Sequence, residues 1–141
     1  MSTVLPASPE RVWEYVGQID THVEWMHDAV AIHFQSDQRH GVGTSFETDT
    51  KVGPLRLTDK MVITEWDPGR AMGIRHTGVV TGSGRFTLEA AEGGTRFTWE
   101  EDLRFPAWMG GSLGGRAGAV VLKRIWQANL DNLRRHFVAP S

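Results

Sequence analysis

The feature that most constrains the fold is a series of short segments whose hydrophobicity repeats every two residues. Turns separate these segments, and no helical pattern lies between them. Apolar residues alternate with polar ones in each segment, as at Val30, Ile32 and Phe34. This alternation is typical of strands, whose successive side chains point to opposite faces. Turn-forming residues recur every eight to fifteen positions. We therefore predict an antiparallel meander of six strands, or seven if Val4 and Leu5 begin one.

Helical spacing of apolar residues occurs at the two ends of the chain. Near the N-terminus, Ser8 and Pro9 suit the cap and the first position of a helix, and a second short helix is predicted at about 21–26. Polar residues such as Asn129 are expected off the apolar face of the last helix. That face steps by three and four, which predicts one long amphipathic helix: Ala119, Leu122, Trp126, Leu130, Leu133 and Phe137.

These elements predict an α+β architecture. A single antiparallel sheet must cover its apolar face, and the C-terminal helix is the longest element that the pattern offers for this. A strongly curved sheet that holds one helix leaves a cavity, because the helix cannot fill the whole concavity. Ligand sites are found in such concave, apolar places.

The composition argues against several classes of protein. A chain of 141 residues is long enough for one ordinary domain and too short for two, so we expect a single domain over 1–141. Fifteen Lys and Arg against seventeen Asp and Glu give a net charge of −2, which argues against a nucleic-acid partner. Because the chain has no cysteine, neither disulfides nor thiolate metal sites can form.

Membrane and metal signals are also missing from the sequence. No apolar run approaches the roughly 20 residues of a membrane span, and the N-terminus lacks the basic and apolar regions of a signal peptide. We therefore expect a cytoplasmic protein without stable membrane insertion. The histidines show no HExxH-like spacing, so we expect no bound metal and no cofactor. The oligomeric state stays open.

Three ionisable residues fall on the apolar face of the predicted sheet. Glu101, His76 and Asp59 each share strand parity with apolar neighbours two positions away. A carboxylate on such a face is costly unless it is paired or neutralised, and an imidazole there can exchange a proton with a ligand oxygen. Together the three would form an acid–base group that abstracts a proton beside a ketone and protonates a leaving hydroxyl.

Each of these residues has a structural alternative that the sequence leaves open. Glu101 could lie at a β-bulge or pair with an arginine at the rim of the cavity. His76 could be a satisfied core histidine or a surface residue at a strand end. A bulge near Asp59 would turn that side chain to solvent. Glu65 has the same parity, but it stands beside a strand end, which favours a structural role.

Four segments of the chain resemble the START-like, or SRPBCC, superfamily (Bet v 1-like), and bacterial members of its polyketide cyclase/dehydrase type in particular. They are ASPERVWEYV (7–16), TEWDPGR (64–70), GTRFTW (94–99) and LDNLRR (130–135). The resemblance implies a helix-grip fold, in which a curved antiparallel sheet of six to seven strands wraps around a long C-terminal helix, with two short N-terminal helices. It implies a deep pocket for a hydrophobic ligand and no particular reaction, because function belongs to the site.

Strand parity and the geometry of the superfamily together define an expected pocket wall. The chain holds six Trp and six Phe, and several of them fall at inward positions. The glycine-rich segment 110–118 is followed by no Lys-Ser or Lys-Thr, unlike a phosphate loop; it would serve as the hinge of a lid, or pack the helix start against the sheet. The residues expected to contact the ligand are Trp25, Phe46, Met61, Met72, Phe86, Trp99, Trp108, Leu122 and Trp126.

The sequence therefore predicts binding of a small hydrophobic ligand, aromatic or polyketide-like, beneath the C-terminal helix. The first alternative is a cyclase, aromatase or dehydratase that uses Glu101, His76 and Asp59 as acid and base. The second is a protein-interaction role. In a pure carrier, the polar groups of the pocket would be few and beyond hydrogen-bonding reach of one another.

Overall fold

A computed structural model describes residues 1–105 and 116–138, which contain seven strands, three α-helices and a 3₁₀ turn. The chain starts with a strand and ends in a helix, and six strands follow one another between α2 and α3. In chain order, the elements are β1 (Ser2–Leu5), α1 (Pro9–Val16), the 3₁₀ turn (Ile19–Thr21), α2 (His22–Trp25), β2 (Ala29–Phe34), β3 (Ser45–Val52), β4 (Leu55–Asp67), β5 (Ala71–Thr77), β6 (Thr81–Ala91), β7 (Gly94–Arg104) and α3 (Arg116–Val138).

The seven strands form one antiparallel sheet with the order β1-β7-β6-β5-β4-β3-β2. Strands β2 to β7 pair in sequence, as a meander does, and β1 closes the other edge against β7. The register shifts between Ala29 and Ala31 in β2 and between Ile63 and Glu65 in β4, and such bulges bend a strand. The sheet curves around α3, which confirms the α+β helix-grip prediction, including the seventh strand at Val4 and Leu5.

The N-terminal helices form largely as their caps predict. The Ser8 hydroxyl accepts a hydrogen bond from the Arg11 backbone N–H at 3.3 Å, and Pro9 occupies the first helical position. This satisfies one of the donors that a helix start leaves without a partner. The second α-helix is shorter than predicted, since a 3₁₀ turn precedes His22. None of the helices within the described ranges is long and apolar enough to cross a membrane.

The hydrophobic core lies between the concave face of the sheet and the helices. Val12 and Val16 of α1 and Leu130 and Leu133 of α3 are all fully buried. Burying one such side chain contributes about 1.5–3 kcal/mol. Contacts of α3 with β1 and α2 hold the helix over the sheet.

One polar residue of α3 corrects the predicted helix face. Asn129 was expected off the apolar stripe, yet its exposed fraction is 1%. Its Nδ2 donates to Asp28 Oδ1 at 2.7 Å, and its Oδ1 accepts from the His27 backbone N–H at 3.1 Å. Because both ends of the amide are hydrogen-bonded, its burial carries little penalty. Asn129 therefore fastens α3 to the turn between α2 and β2.

Candidate functional site

A cavity of about 110 Å³ lies between the concave face of the sheet and α3. Strands β2 to β7 supply most of its wall, and α3 covers one side. The wall is mainly apolar, with a small group of polar side chains on β3, β4, β5 and β7. The described residues that line it are His22, Met26, Asp28, Ala29, Ile32, Phe46, Thr48, Thr50, Val52, Leu57, Asp59, Met61, Met72, Ile74, His76, Val80, Gly84, Arg85, Phe86, Trp99, Glu101, Leu103, Phe105, Leu122 and Trp126.

The structure places most of the predicted ligand-contacting residues on this wall. Trp99 of β7 and Trp126 of α3 face each other with ring centroids 5.9 Å apart, so the sheet and the helix meet through aromatic rings. Trp108 lies outside the described residues, as do positions 110–115 of the predicted lid. The predicted residues found on the wall are Phe46, Met61, Met72, Phe86, Trp99, Leu122 and Trp126.

The prediction that Trp25 lines the pocket is wrong. Its side chain is 1% exposed and packs behind the wall, with ring centroids 5.8 Å from both Phe86 and Trp99. The helical pattern places Trp25 on the inner side of α2, but α2 lies close enough to the sheet for the ring to be covered completely. Trp25 therefore supports the two aromatic residues that line the cavity.

Glu101 and His76 form the centre of the polar group. Glu101 Oε2 lies 3.2 Å from His76 Nε2, and Glu101 Oε1 accepts a hydrogen bond from the Trp99 indole N–H at 3.0 Å. The side chains of His76 and Glu101 are 7% and 9% exposed. The inward orientation predicted from strand parity is therefore confirmed for both. Glu101 lies in the regular register of β7 with β6 and contacts a histidine rather than an arginine.

Gly84 of β6 provides the space for this contact. Glu101 is on β7 and His76 is on β5, so the carboxylate must cross β6 to reach the imidazole. Gly84 is the register partner of Glu101, and a β-carbon built on it would lie 2.6 Å from Glu101 Oε2. A glycine inside a strand often marks such a close approach. The absent side chain at Gly84 is what allows the carboxylate to lie over the strand.

The Glu101 contact defines the tautomer of the neutral His76 ring. A carboxylate oxygen accepts hydrogen bonds, so the Nε2 atom facing it carries the proton. The other ring nitrogen, Nδ1, then presents a lone pair. This atom is buried and has no hydrogen-bond partner within residues 1–105 or 116–138. His76 can therefore accept a proton or a hydrogen bond from a ligand, with Glu101 orienting the ring.

Asp59 adds a second polar group to the wall, beside the pair. Its Oδ2 accepts a hydrogen bond from the Thr50 hydroxyl at 2.9 Å, while its Oδ1 is buried and makes no hydrogen bond to the described part of the chain. Burial raises the pKa of the Asp59 carboxyl, and this outweighs the opposing effects of Thr50 and His76; the charges of Asp28 and Glu101 raise it further. The shift is toward the neutral, proton-donating form of Asp59.

Some residues of the site carry no clear signal in the sequence. His22 donates from Nε2 to the Val16 carbonyl at 2.8 Å, and burial lowers its pKa to about 4, so it is neutral at pH 7. Asp28 reaches the cavity from a turn, where strand parity does not apply. Thr50 and Gly84 could have been found from parity, since both lie on the inner faces of their strands.

Glu65 lies on the opposite face of the sheet from these residues. The bulge between Ile63 and Glu65 changes the parity of β4 at that point, and the Glu65 carboxylate makes two hydrogen bonds to Arg85, of 2.7 and 3.1 Å. Both side chains are about half exposed. In the described residues, no group of three or more His, Asp or Glu side chains is placed to hold a metal ion.

Comparisons with known proteins identify the family and the fold of the chain. The sequence model of a family described as "Polyketide cyclase / dehydrase and lipid transport" matches residues 1–138. A comparison with curated proteins finds no match.

Solved structures with the same fold are similar over nearly the whole chain. The protein TTHA0849 from Thermus thermophilus has a TM-score of 0.78 and 17% identity, covering 98% of this chain and 94% of that one. The Zhui aromatase/cyclase from Streptomyces sp. R1128 has a TM-score of 0.74 and 16% identity, with coverages of 98% and 91%. Ara h 8.0201 has a TM-score of 0.70 and 14% identity, with coverages of 99% and 96%. At these identities, the similarity concerns the fold.

Proposed function

The chain belongs to the polyketide cyclase/dehydrase and lipid transport family, and from this premise we propose that it binds a small, largely apolar ligand with an aromatic ring between the sheet and α3. The single observation that carries the proposal is the cavity, whose wall combines apolar surface with a few convergent polar groups. That combination is typical of small-molecule sites.

The size and lining of the cavity support a ligand of about one ring. Its volume of about 110 Å³ is of the same order as the roughly 150 Å³ of an apolar cavity that holds benzene. Drug-sized ligands occupy pockets of roughly 300–1,000 Å³, so a fused polycyclic ligand requires wall side chains to move. Trp99, Trp126 and Phe86 offer ring faces and edges, with which an aromatic ligand packs favourably.

Titration with toluene tests the binding proposal. Toluene is a one-ring apolar probe, and its binding is followed through the indole N–H signals of Trp99 and Trp126 in nuclear magnetic resonance spectra. We expect saturable shifts at both indoles, since both rings line the cavity.

Two matched variants locate the toluene site. Ile74 lines the cavity, whereas its neighbour Arg75 is exposed on the other face of β5. We expect Ile74→Trp to fill the cavity and abolish the shifts, while Arg75→Trp adds the same ring outside and leaves them. The proposal is wrong if the wild-type protein shows no saturable shifts, or if Ile74→Trp binds toluene as tightly as Arg75→Trp does.

A second candidate function, acid–base catalysis in the same cavity, is favoured by one specific observation. The polar groups are not isolated, because Glu101 and His76 lie within hydrogen-bonding reach at 3.2 Å. A carboxylate that orients a histidine, whose other nitrogen is buried and accepting, is the arrangement of a general base. Asp59, with its raised pKa, supplies the complementary acid.

These roles fit the dehydration of a β-hydroxy ketone. His76 Nδ1 takes the proton from the carbon beside the ketone, and the electron pair of that C–H bond forms the new carbon–carbon double bond. The C–O bond of the hydroxyl breaks, and the oxygen takes a proton from Asp59 and leaves as water. The proton on His76 then returns to the Asp59 carboxylate through water, which restores both groups.

A one-ring model substrate tests this candidate. We expect 4-hydroxy-4-phenylbutan-2-one to lose water on the protein, and the conjugated product is followed by its ultraviolet absorbance. Glu101→Gln and His76→Ala should each reduce turnover while nearly preserving toluene affinity. If both variants keep full activity, the mechanism is wrong.

A further inference from the structure

We propose that the ligand carries a hydroxyl group on its ring, as a phenol does, and that this hydroxyl lies between His76 and Asp59. It donates its proton to Nδ1 of His76 and accepts a hydrogen bond from the carboxyl of Asp59. The inference rests on the proposed binding function and adds the chemical class of the ligand. It starts from two buried polar atoms, His76 Nδ1 and Asp59 Oδ1, for which residues 1–105 and 116–138 supply no hydrogen-bond partner.

His76 defines one of the two requirements on the ligand. Its Nε2–H is directed to Glu101 Oε2 at 3.2 Å, so Nδ1 of the neutral ring is an acceptor. The side chain is only 7% exposed, and a polar atom buried without a hydrogen bond is costly. A ligand that satisfies Nδ1 must therefore bring a donor.

Asp59 defines the opposite requirement. Its Oδ2 is occupied by the Thr50 hydroxyl at 2.9 Å, which leaves the buried Oδ1 as the atom that meets a ligand. Burial raises the pKa of Asp59, and the negative charges of Asp28 and Glu101 raise it further. In its neutral form, toward which this shift acts, the carboxyl carries its proton on Oδ1, because Oδ2 accepts from Thr50, and Oδ1 then donates. A ligand that satisfies Oδ1 must therefore bring an acceptor.

The sheet places the two requirements close together. His76 on β5 is the register partner of Met61 on β4, and Asp59 lies two positions from Met61 on the same face. Such diagonal positions are separated by about 7–8 Å between backbones, within reach of longer side chains. One oxygen atom that both donates and accepts, with two hydrogen bonds of about 2.8 Å, can satisfy both residues.

This pattern distinguishes a hydroxyl from the other oxygen groups that an apolar ligand carries. A ketone or an ether accepts but does not donate, so it leaves His76 Nδ1 without a partner. A ring hydroxyl does both, and its ring can pack against Trp99, Trp126 and Phe86 on the same wall. The geometry therefore points to a phenol.

Three probes of similar shape test the inference on the wild-type protein. Toluene offers no polar group, 4-methylanisole offers an acceptor, and p-cresol offers a donor and an acceptor on one oxygen. We expect p-cresol to bind at least tenfold more tightly than the other two in calorimetric titrations. We also expect p-cresol alone to shift the ¹⁵N signal of His76 Nδ1.

The outcomes separate this inference from the binding proposal. Equal affinities for the three probes overturn the phenol inference and leave the binding function standing. If none of the three binds, both proposals fail. Tighter binding of 4-methylanisole than of p-cresol also overturns the inference, because the site would then require an acceptor alone.

A pair of variants adds a second measurement. Asp59→Leu removes the donor on the cavity wall, and we expect the ratio of p-cresol to toluene affinity to fall about tenfold. Asp49→Leu is the matched control, since Asp49 pairs with the half-exposed His33 and does not line the cavity; its affinity ratio should equal that of the wild type. An unchanged ratio in Asp59→Leu overturns the inference. The comparison of probes on the wild-type protein stands even if this variant does not fold.

Discussion

Replacing Gly84 with alanine tests whether the contact between Glu101 and His76 depends on the missing side chain. Gly84 does not have a positive φ, so an alanine can adopt its backbone conformation. The added β-carbon would lie 2.6 and 2.7 Å from the two carboxylate oxygens of Glu101. Both distances are well below ordinary van der Waals contact, so the carboxylate must leave its position over β6.

The energetic consequence follows from the hydrogen bonds of that carboxylate. Displacing it breaks the contact with His76 at 3.2 Å and the bond from the Trp99 indole at 3.0 Å. Hydrogen bonds to a charged group contribute about 1.5–3 kcal/mol each. Alanine also restricts the unfolded chain, which returns about 0.4–1 kcal/mol. We therefore expect Gly84→Ala to lower the free energy of unfolding by about 2–5 kcal/mol.

Urea denaturation of four proteins measures this effect: the wild type, Gly84→Ala, Glu101→Ala and the double variant. In the Glu101→Ala background the new methyl group meets no carboxylate, so Gly84→Ala should be neutral there or stabilise by up to about 1 kcal/mol. The indole N–H signal of Trp99 should move in Gly84→Ala, because its acceptor has been displaced. Comparing the two backgrounds isolates the coupling between Gly84 and Glu101.

The same comparison can refute the reasoning. If Gly84→Ala lowers the free energy of unfolding as much in the Glu101→Ala background as in the wild type, its effect comes from the β6 backbone and not from the carboxylate. If the Trp99 indole signal also stays in place, Gly84 does not provide the space that the structure assigns to it.

Two further predictions concern the support of the site. Burial lowers the pKa of His22 from 6.5 to about 4. Between these pH values the unfolded chain therefore binds more protons than the folded protein does. The free energy of unfolding should then fall by about 3 kcal/mol as the pH is lowered from above 6.5 to about 4. Urea denaturation at both pH values should show a smaller loss for His22→Gln, and equal losses contradict the assignment. Asn129→Ala should lower the free energy of unfolding by about 2–3 kcal/mol, measured by thermal denaturation. Asn132→Ala should lower it less, because the Asn132 amide donates at 3.3 Å from a less buried position. Equal losses in the two variants would contradict the role of Asn129 in holding α3 by hydrogen bonds.

Strand parity predicted the orientation of the polar site because the strands that carry it are regular where it matters. Glu101 and His76 lie within uninterrupted stretches of the ladders of β7 and β5, so positions two apart share a face. Asp59 lies four positions before the bulge in β4. Glu65 lies at that bulge. The extra residue there reverses the alternation of faces, so the parity predicted for Glu65 is wrong.

Contacts between strands could not be predicted from parity. The approach of Glu101 to His76 depends on the register of three strands and on Gly84 in the middle one. Each segment by itself is compatible with several registers, and the pairing is decided by the assembled sheet. The sequence therefore indicated which residues face the cavity, but not which of them touch.

The helical pattern also could not predict how deeply an individual side chain is buried. Trp25 was predicted to line the cavity, but it is buried behind the cavity wall. Asn129 was predicted to lie off the apolar face, but it is buried as well. An apolar stripe shows which side of a helix faces inward. It does not show how close the helix lies to the sheet or which polar atoms find partners.

The incomplete pairing of the polar group is itself an argument for a ligand. Leaving a buried donor or acceptor without a hydrogen bond costs about 1–3 kcal/mol, and two such atoms, His76 Nδ1 and Asp59 Oδ1, occur on one wall. Apolar residues at these two positions would avoid that cost, as they do at Ile63 and Met72 on the same strands. Glu101, by contrast, has a partner for each oxygen. Within this polar group on the wall, the cost therefore falls on the two atoms that can meet a ligand, where binding recovers it.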